Sequence, residues 1–145
     1  GPIVLVLFVS STTEDMDIIA FLQNQKADGT VSGKLTRGVL KVSHRKLAPV
    51  LSTPHRPYHT HDEEQKLSPG QVVEAQVEIL PTSMVFKKGD RIRLDIHSRD
   101  VQLYDGVYNI GDYSIYSGGK RASYLLLPII PAGGRPVATS GRVQR

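Results

Sequence analysis

The stretch from Leu67 to Ser98 restricts what this chain can fold into more than any other. Between Val73 and Ile79 apolar and polar residues alternate strictly. Val73, Ala75, Val77 and Ile79 share one face, and Glu74, Gln76 and Glu78 share the other. A period of two is the signature of a strand buried on one side. Pro81 ends it, because proline cannot donate to a ladder and biases its predecessor away from helix. Lys87-Lys88-Gly89-Asp90 reads as a turn into a second strand, with Ile92, Leu94 and Ile96 inward and Arg91, Arg93, Asp95 and His97 outward. The two together read as a hairpin, with Glu74 or Glu78 facing the arginines across it.

Other segments extend the pattern. Ile3 to Val9, IVLVLFV, is a continuous branched and aromatic run, expected as a central strand covered on both faces. Ser10 to Asp17 is a polar connection. Its Glu14, Asp15 and Asp17 lack the glycine and distal glutamate of an EF-hand, so a solvated turn is expected there rather than a calcium loop. Ile18 to Gln25 and Arg37 to His44 are the next strands, with Ala27-Asp28-Gly29 turning between them. Tyr113 to Tyr116, a Ser117-Gly118-Gly119 turn and Ser123 to Ile130 close the series. Pro128 argues for an edge position or a strand end in the last of these.

Two segments break it. Lys46 to Lys66 holds Pro49, Pro54 and Pro57, ends acid-rich and shows no periodicity; so long a loop is uncommon in a compact domain unless it is functional or partner-held. Arg99 to Asp112 is irregular and rich in Gly, Asp and Tyr. The expectation is an all-β domain over residues 1–131, an antiparallel β-sandwich of jelly-roll type. Residues 132–145, without apolar pattern, are expected to be a disordered tail or an added remnant.

Composition narrows the function. With no cysteine among 145 residues, neither disulfides nor thiol chemistry are available. The apolar run at Ile3 to Val9 is about seven residues, where a membrane-spanning helix needs roughly 20. No basic n-region precedes it, so no signal peptide is expected and a cytoplasmic location is favoured. Of the net charge of +4, the chain up to Asp112 contributes −1 and the basic end the remainder. That distribution leaves no clustered basic face for nucleic acid.

Catalytic motifs are absent. No G-x-S-x-G elbow, G-x-G-x-x-G or Walker loop occurs, and Ser117 before Gly118-Gly119 reads as a hairpin turn. His59 and His61 lie i, i+2, so in an extended segment both rings point one way, suited to one zinc with a carboxylate such as Asp62. In a proline-broken, acid-rich loop they read better as groups that bond loop backbone or touch another domain. No metal or cofactor is expected. Tyr104, Tyr108, Tyr113 and Tyr116 lie close together late in the chain, which keeps a sugar-binding module in view.

These residues also resemble a family. Pro69-Gly70 leading the first strand, Leu80-Pro81-Thr82-Ser83 ending it, and Phe86 through Gly89 to Arg91–Ile96 are similar to the C-terminal non-catalytic domain of the X-Pro dipeptidyl-peptidase and cocaine esterase hydrolases. Ser10-Ser11 with Glu14, Asp15 and Asp17, Gly38 to Arg45, Pro54 to Asp62, and Gly118-Gly119 with Ser123 to Pro131 follow in the family's order. The resemblance implies a galactose-binding-like jelly roll packed on upstream α/β-hydrolase and cap domains, the triad lying outside this chain. It transfers no catalytic residue. Tyr116 stands where relatives often have histidine. The implied contacts with the missing domains are His55, Tyr58, His59, His61, Asp62, Tyr104 and Tyr116. The rival readings are a free-standing carbohydrate- or protein-binding sandwich and an autonomous enzyme built on His59, His61 and Asp62. Self-association through an exposed partner face stays open.

Overall fold

The computed structural model describes residues 1–99 and 109–130. Its strands are β1 (Ile3–Ser11), β2 (Asp17–Gln25), β3 (Val31–Lys41), β4 (Val73–Ile79), β5 (Arg91–His97), β6 (Tyr113–Gly118), β7 (Arg121–Ala122) and β8 (Tyr124–Leu126). A three-residue 3-10 turn, Val42–His44, follows β3. All strand pairs are antiparallel. One sheet runs β4-β1-β6-β7, with β8 also on β1, and the second runs β3-β2-β5. They face each other as a β-sandwich. The expected excursions after Arg45 and Ser98 do cross between sheets, and the chain also crosses at β1–β2 and β4–β5.

The core lies between the sheets. Ile3, Leu5, Leu7 and Val9 of β1 meet Ile18, Ala20 and Leu22 of β2, with Ala75, Val77 and Ile79 of β4 and Leu40 of β3. Because β1 is paired on both edges and Val4 and Val6 are buried as well, it is the central strand its unbroken apolar run predicts. On the other side of β1, pairing passes from β6 to β8 at Ser123. Its Oγ accepts the Phe8 N–H at 3.0 Å and donates to the Tyr116 carbonyl at 2.6 Å. A side chain thus replaces ladder bonds where the strand partner changes.

The sheets close on each other at β3 and β4. The Leu80 N–H donates to the Arg37 carbonyl at 2.9 Å, and Thr36 Oγ1 donates to the Leu80 carbonyl at 2.6 Å. Gly38 permits this approach: a Cβ there would stand 2.3 Å from the Glu78 carbonyl oxygen. No other residue fits so close to backbone.

Several expectations are corrected. β4 and β5 do not form a hairpin; β4 pairs with β1 and β5 with β2, in opposite sheets. The charges expected to meet across that hairpin are therefore apart: Arg93 pairs with Asp95 at 2.7 Å, and Glu78 with Arg56 at 3.2 Å. Ile92, expected inward, is 47% exposed, while Leu94 and Ile96 do pack on the core. The third strand begins at Val31 and ends at Lys41, where Val42–His44 coil into the 3-10 turn. The closing strand expected over Ser123 to Ile130 is reduced to β8, which stops two residues before Pro128. Asp15 is buried rather than solvated; its Oδ1 accepts the Met16 and Ser43 N–H groups at 2.9 and 2.8 Å, tying the β1–β2 crossing to the end of β3. The tail at 132–145 lies outside the described residues.

Candidate domain interface

The loop of residues 46–66 has more order than its sequence suggests. Its two arms run antiparallel, with Leu47 bridged to His59. The Ala48 N–H donates to the Tyr58 carbonyl at 2.8 Å, and the Thr60 N–H to the Lys46 carbonyl at 3.1 Å. At the tip, reciprocal bonds between Thr53 and Arg56 at 3.0 and 3.1 Å enclose Pro54 and His55. Ser52 Oγ accepts from the Tyr58 N–H at 3.0 Å, so a hydroxyl does the work of a further ladder rung. The segment is a narrow ribbon.

Polar contacts fasten the ribbon to the sandwich. The Gln65 N–H reaches the Ser43 carbonyl at 2.7 Å and the Leu67 N–H the Glu14 carbonyl at 2.7 Å. Arg45 donates to the carbonyls of Val42 and Gln65, and burial lowers its pKa despite nearby Asp15. Further out, Arg56 bonds Glu78 on β4, and the half-buried His59 lies near Gln76 and Glu78 of the same strand. Pro57 is a fully buried apolar residue of the ribbon, and Leu67, just beyond its end, is nearly so.

The expected site residues separate into two places. His55 and Tyr58 are exposed at the ribbon tip. Asp62 is exposed, accepts from Thr60 Oγ1 and meets Lys46 Nζ at 3.2 Å. Those hydrogen bonds, Thr60 first, hold its carboxyl below the usual range, and the same contact with Asp62 raises the Lys46 ammonium. His61 adopts a left-handed backbone, φ +53°, unusual for a residue with a Cβ. His59 is half-buried, and burial, then His61, pushes its pKa down against the opposing pull of Gln76 and Glu78. Tyr116 stands apart on β6: its hydroxyl is 3.1 Å from Ser10 Oγ, and Arg121 lies 5.4 Å above its ring. Tyr104 lies outside the described residues.

One participant escaped the sequence reading. His44, from the 3-10 turn, places its ring 5.4 Å from that of His61, which in turn is 6.0 Å from His59. Nothing in the local pattern around Val42-Ser43-His44 distinguishes it, since its neighbours come from 15 or more residues away. Among the described residues, no three His, Asp or Glu side chains converge closely enough to hold a metal ion.

Comparison with known proteins places this geometry. Residues 1–126 match the family described as the X-Pro dipeptidyl-peptidase C-terminal non-catalytic domain. A CocE/NonD family hydrolase from Staphylococcus aureus superposes with a TM-score of 0.82 at 30% identity, over 90% of this chain and 28% of its own. A Mycobacterium tuberculosis (strain CDC 1551 / Oshkosh) protein provisionally named a serine esterase is 30% identical over 136 residues. The cocaine esterase of Rhodococcus sp. (strain MB1 Bresler) is 27% identical over 146 residues. The match takes in 90% of this chain in each case but only 21% and 23% of those two proteins. The chain thus spans about a fifth of the length of the curated relatives it matches.

Proposed function

The chain belongs to the family of X-Pro dipeptidyl-peptidase C-terminal non-catalytic domains, and on that premise we propose that it serves as the accessory sandwich of a larger serine hydrolase, packing on the catalytic domain and steadying its active site. The observation that carries this reading is the superposition on a hydrolase of which the equivalent unit is only 28%. The sequence supports it, since no nucleophile elbow is present.

The ribbon at 46–66 is the surface by which we expect it to pack. His55 and Tyr58 are exposed at its tip, with Val50 and Leu51 beside them. A mixed apolar and polar patch of this sort suits an interdomain contact, which is more polar than an obligate interface. The positions of His59, His61 and Asp62 on the same ribbon extend the patch, and Tyr116 belongs to a second, separate contact.

Two measurements test it. The 145-residue chain alone is expected to give no turnover of p-nitrophenyl acetate above buffer. In the hydrolase that carries this domain, Tyr58→Ala and His55→Ala are expected to lower the melting temperature or kcat/KM. Turnover by the isolated chain, or wild-type behaviour of both variants, overturns the accessory role.

A further inference from the structure

Three imidazoles form a row where the 3-10 turn, the ribbon and β4 meet. His61 sits in the middle, 5.4 Å from His44 and 6.0 Å from His59, centroid to centroid. His44 Nδ1 and His59 Nε2 are both buried without a hydrogen-bond partner. A neutral imidazole tolerates one bare nitrogen as an unused acceptor. Its protonated form turns that nitrogen into a donor carrying charge, and a buried donor without an acceptor is costly. At His59 the site therefore favours the neutral ring.

The charged groups around His59 do not undo this. On β4, Glu78 faces it but is already paired with Arg56 at 3.2 Å. On the ribbon, Asp62 and Glu63 lie 3.2 and 3.3 Å from Lys46 Nζ. Glu64 reaches His44 Nε2 at 3.9 Å, at the far end of the row from His59. The nearby carboxylates thus have cations or another histidine as partners, and His61 faces His59 directly. The same ribbon contains His61 at φ +53°, a conformation held by its surroundings rather than preferred.

We propose that His59, with His61 and His44 behind it, is a pH-operated latch that holds the 46–62 ribbon on β4 when neutral and releases it in mild acid. Histidine is the side chain whose charge changes in this range. The direction follows from linkage. His59 titrates in the fold below its ordinary value of 6.5, through burial and then through His61. Between those two values the unfolded segment binds more protons than the folded one, so stability rises with pH there. The contribution of His59 to that hold is complete above about 6.5 and is lost as pH falls from there toward the lowered folded value. The latch does not depend on the accessory role proposed above; only its consequence, acid-weakened docking, does.

Hydrogen exchange read by mass spectrometry on peptides covering 46–62, corrected for the intrinsic pH dependence and normalised to β1, provides the test. Between pH 7.5 and 5.5 the wild-type ribbon is expected to lose protection severalfold while β1 stays level. His59→Gln, which keeps a neutral polar side chain but removes the titrating ring, is expected to flatten that response. His61→Gln retains His59 but removes its nearest repelling ring, and is expected to shrink the response; it also serves if His59→Gln fails to fold. Equal protection at both pH values in the wild type overturns the latch. So does an undiminished response in His61→Gln, or in a folded His59→Gln.

Discussion

The sandwich and the ribbon on its flank are held together by different physics. In the sandwich, β1 carries nine residues of which eight are buried, and its inward side chains mesh with those of β2 and β4. In the ribbon, Pro57 is buried but most of the chain from Pro49 to Lys66 is exposed, and hydrogen bonds with a few ion pairs fix its course. Apolar burial stabilises in proportion to area and adds over the whole core. Exposed polar links contribute little each and open locally. The lesson is that two well-ordered regions of one domain respond to unlike perturbations.

The largest expected effect falls in the core. Leu7→Ala removes a side chain that is 2% exposed and meets both sheets; a loss of about 2–5 kcal/mol in denaturant unfolding is expected. Gly38→Ala comes next. Its new methyl group meets the backbone oxygen of Glu78, which cannot swing aside as a side chain would. Overpacking of this kind costs about 1–3 kcal/mol, read as a shift in the unfolding midpoint with the slope unchanged. If Gly38→Ala unfolds like wild type, the closure of β3 onto β4 is looser than the geometry states.

The ribbon is expected to yield the smallest change. Arg56→Ala breaks the 3.2 Å pair with Glu78, but the arginine side chain is 69% exposed. A global cost under about 1 kcal/mol is expected, together with faster exchange confined to the ribbon. A global loss as large as that of Leu7→Ala would erase the distinction between the two regions.

How much was legible in the sequence follows from the same division. The alternation in Val73–Ile79 identified the buried face residue by residue, because a strand has only two sides. It did not identify the partner. The hairpin expected between β4 and β5 fails because eleven residues, Leu80 to Asp90, separate them, and tight hairpins use about 2–5. That length is enough to cross to the opposite sheet, and the same alternation serves there. The 3-10 turn after Lys41 was hidden because Val42 continues the apolar pattern of a strand while bonding back to Met16. Asp15 reads as a loop residue in sequence, and only the backbone donors of Met16 and Ser43 account for its burial.

The candidate surface shows the same limit. His55, Tyr58, His59, His61 and Asp62 are drawn from one segment, so sequence proximity alone grouped them. Tyr116 joined that group through a resemblance, and the fold sets it on β6. His44 joins the histidine row from a different element altogether.

By itself the sequence determined the buried face of Val73–Ile79, the central position of Ile3–Val9, the stop before Pro81, and the absence of a G-x-S-x-G elbow. These are local facts, set by side-chain direction, proline geometry and residue identity. Tertiary structure alone decided which strands pair, where β3 closes on β4 over Gly38, and that three histidines share one row. Those outcomes depend on contacts between residues far apart in the chain, which no periodicity encodes.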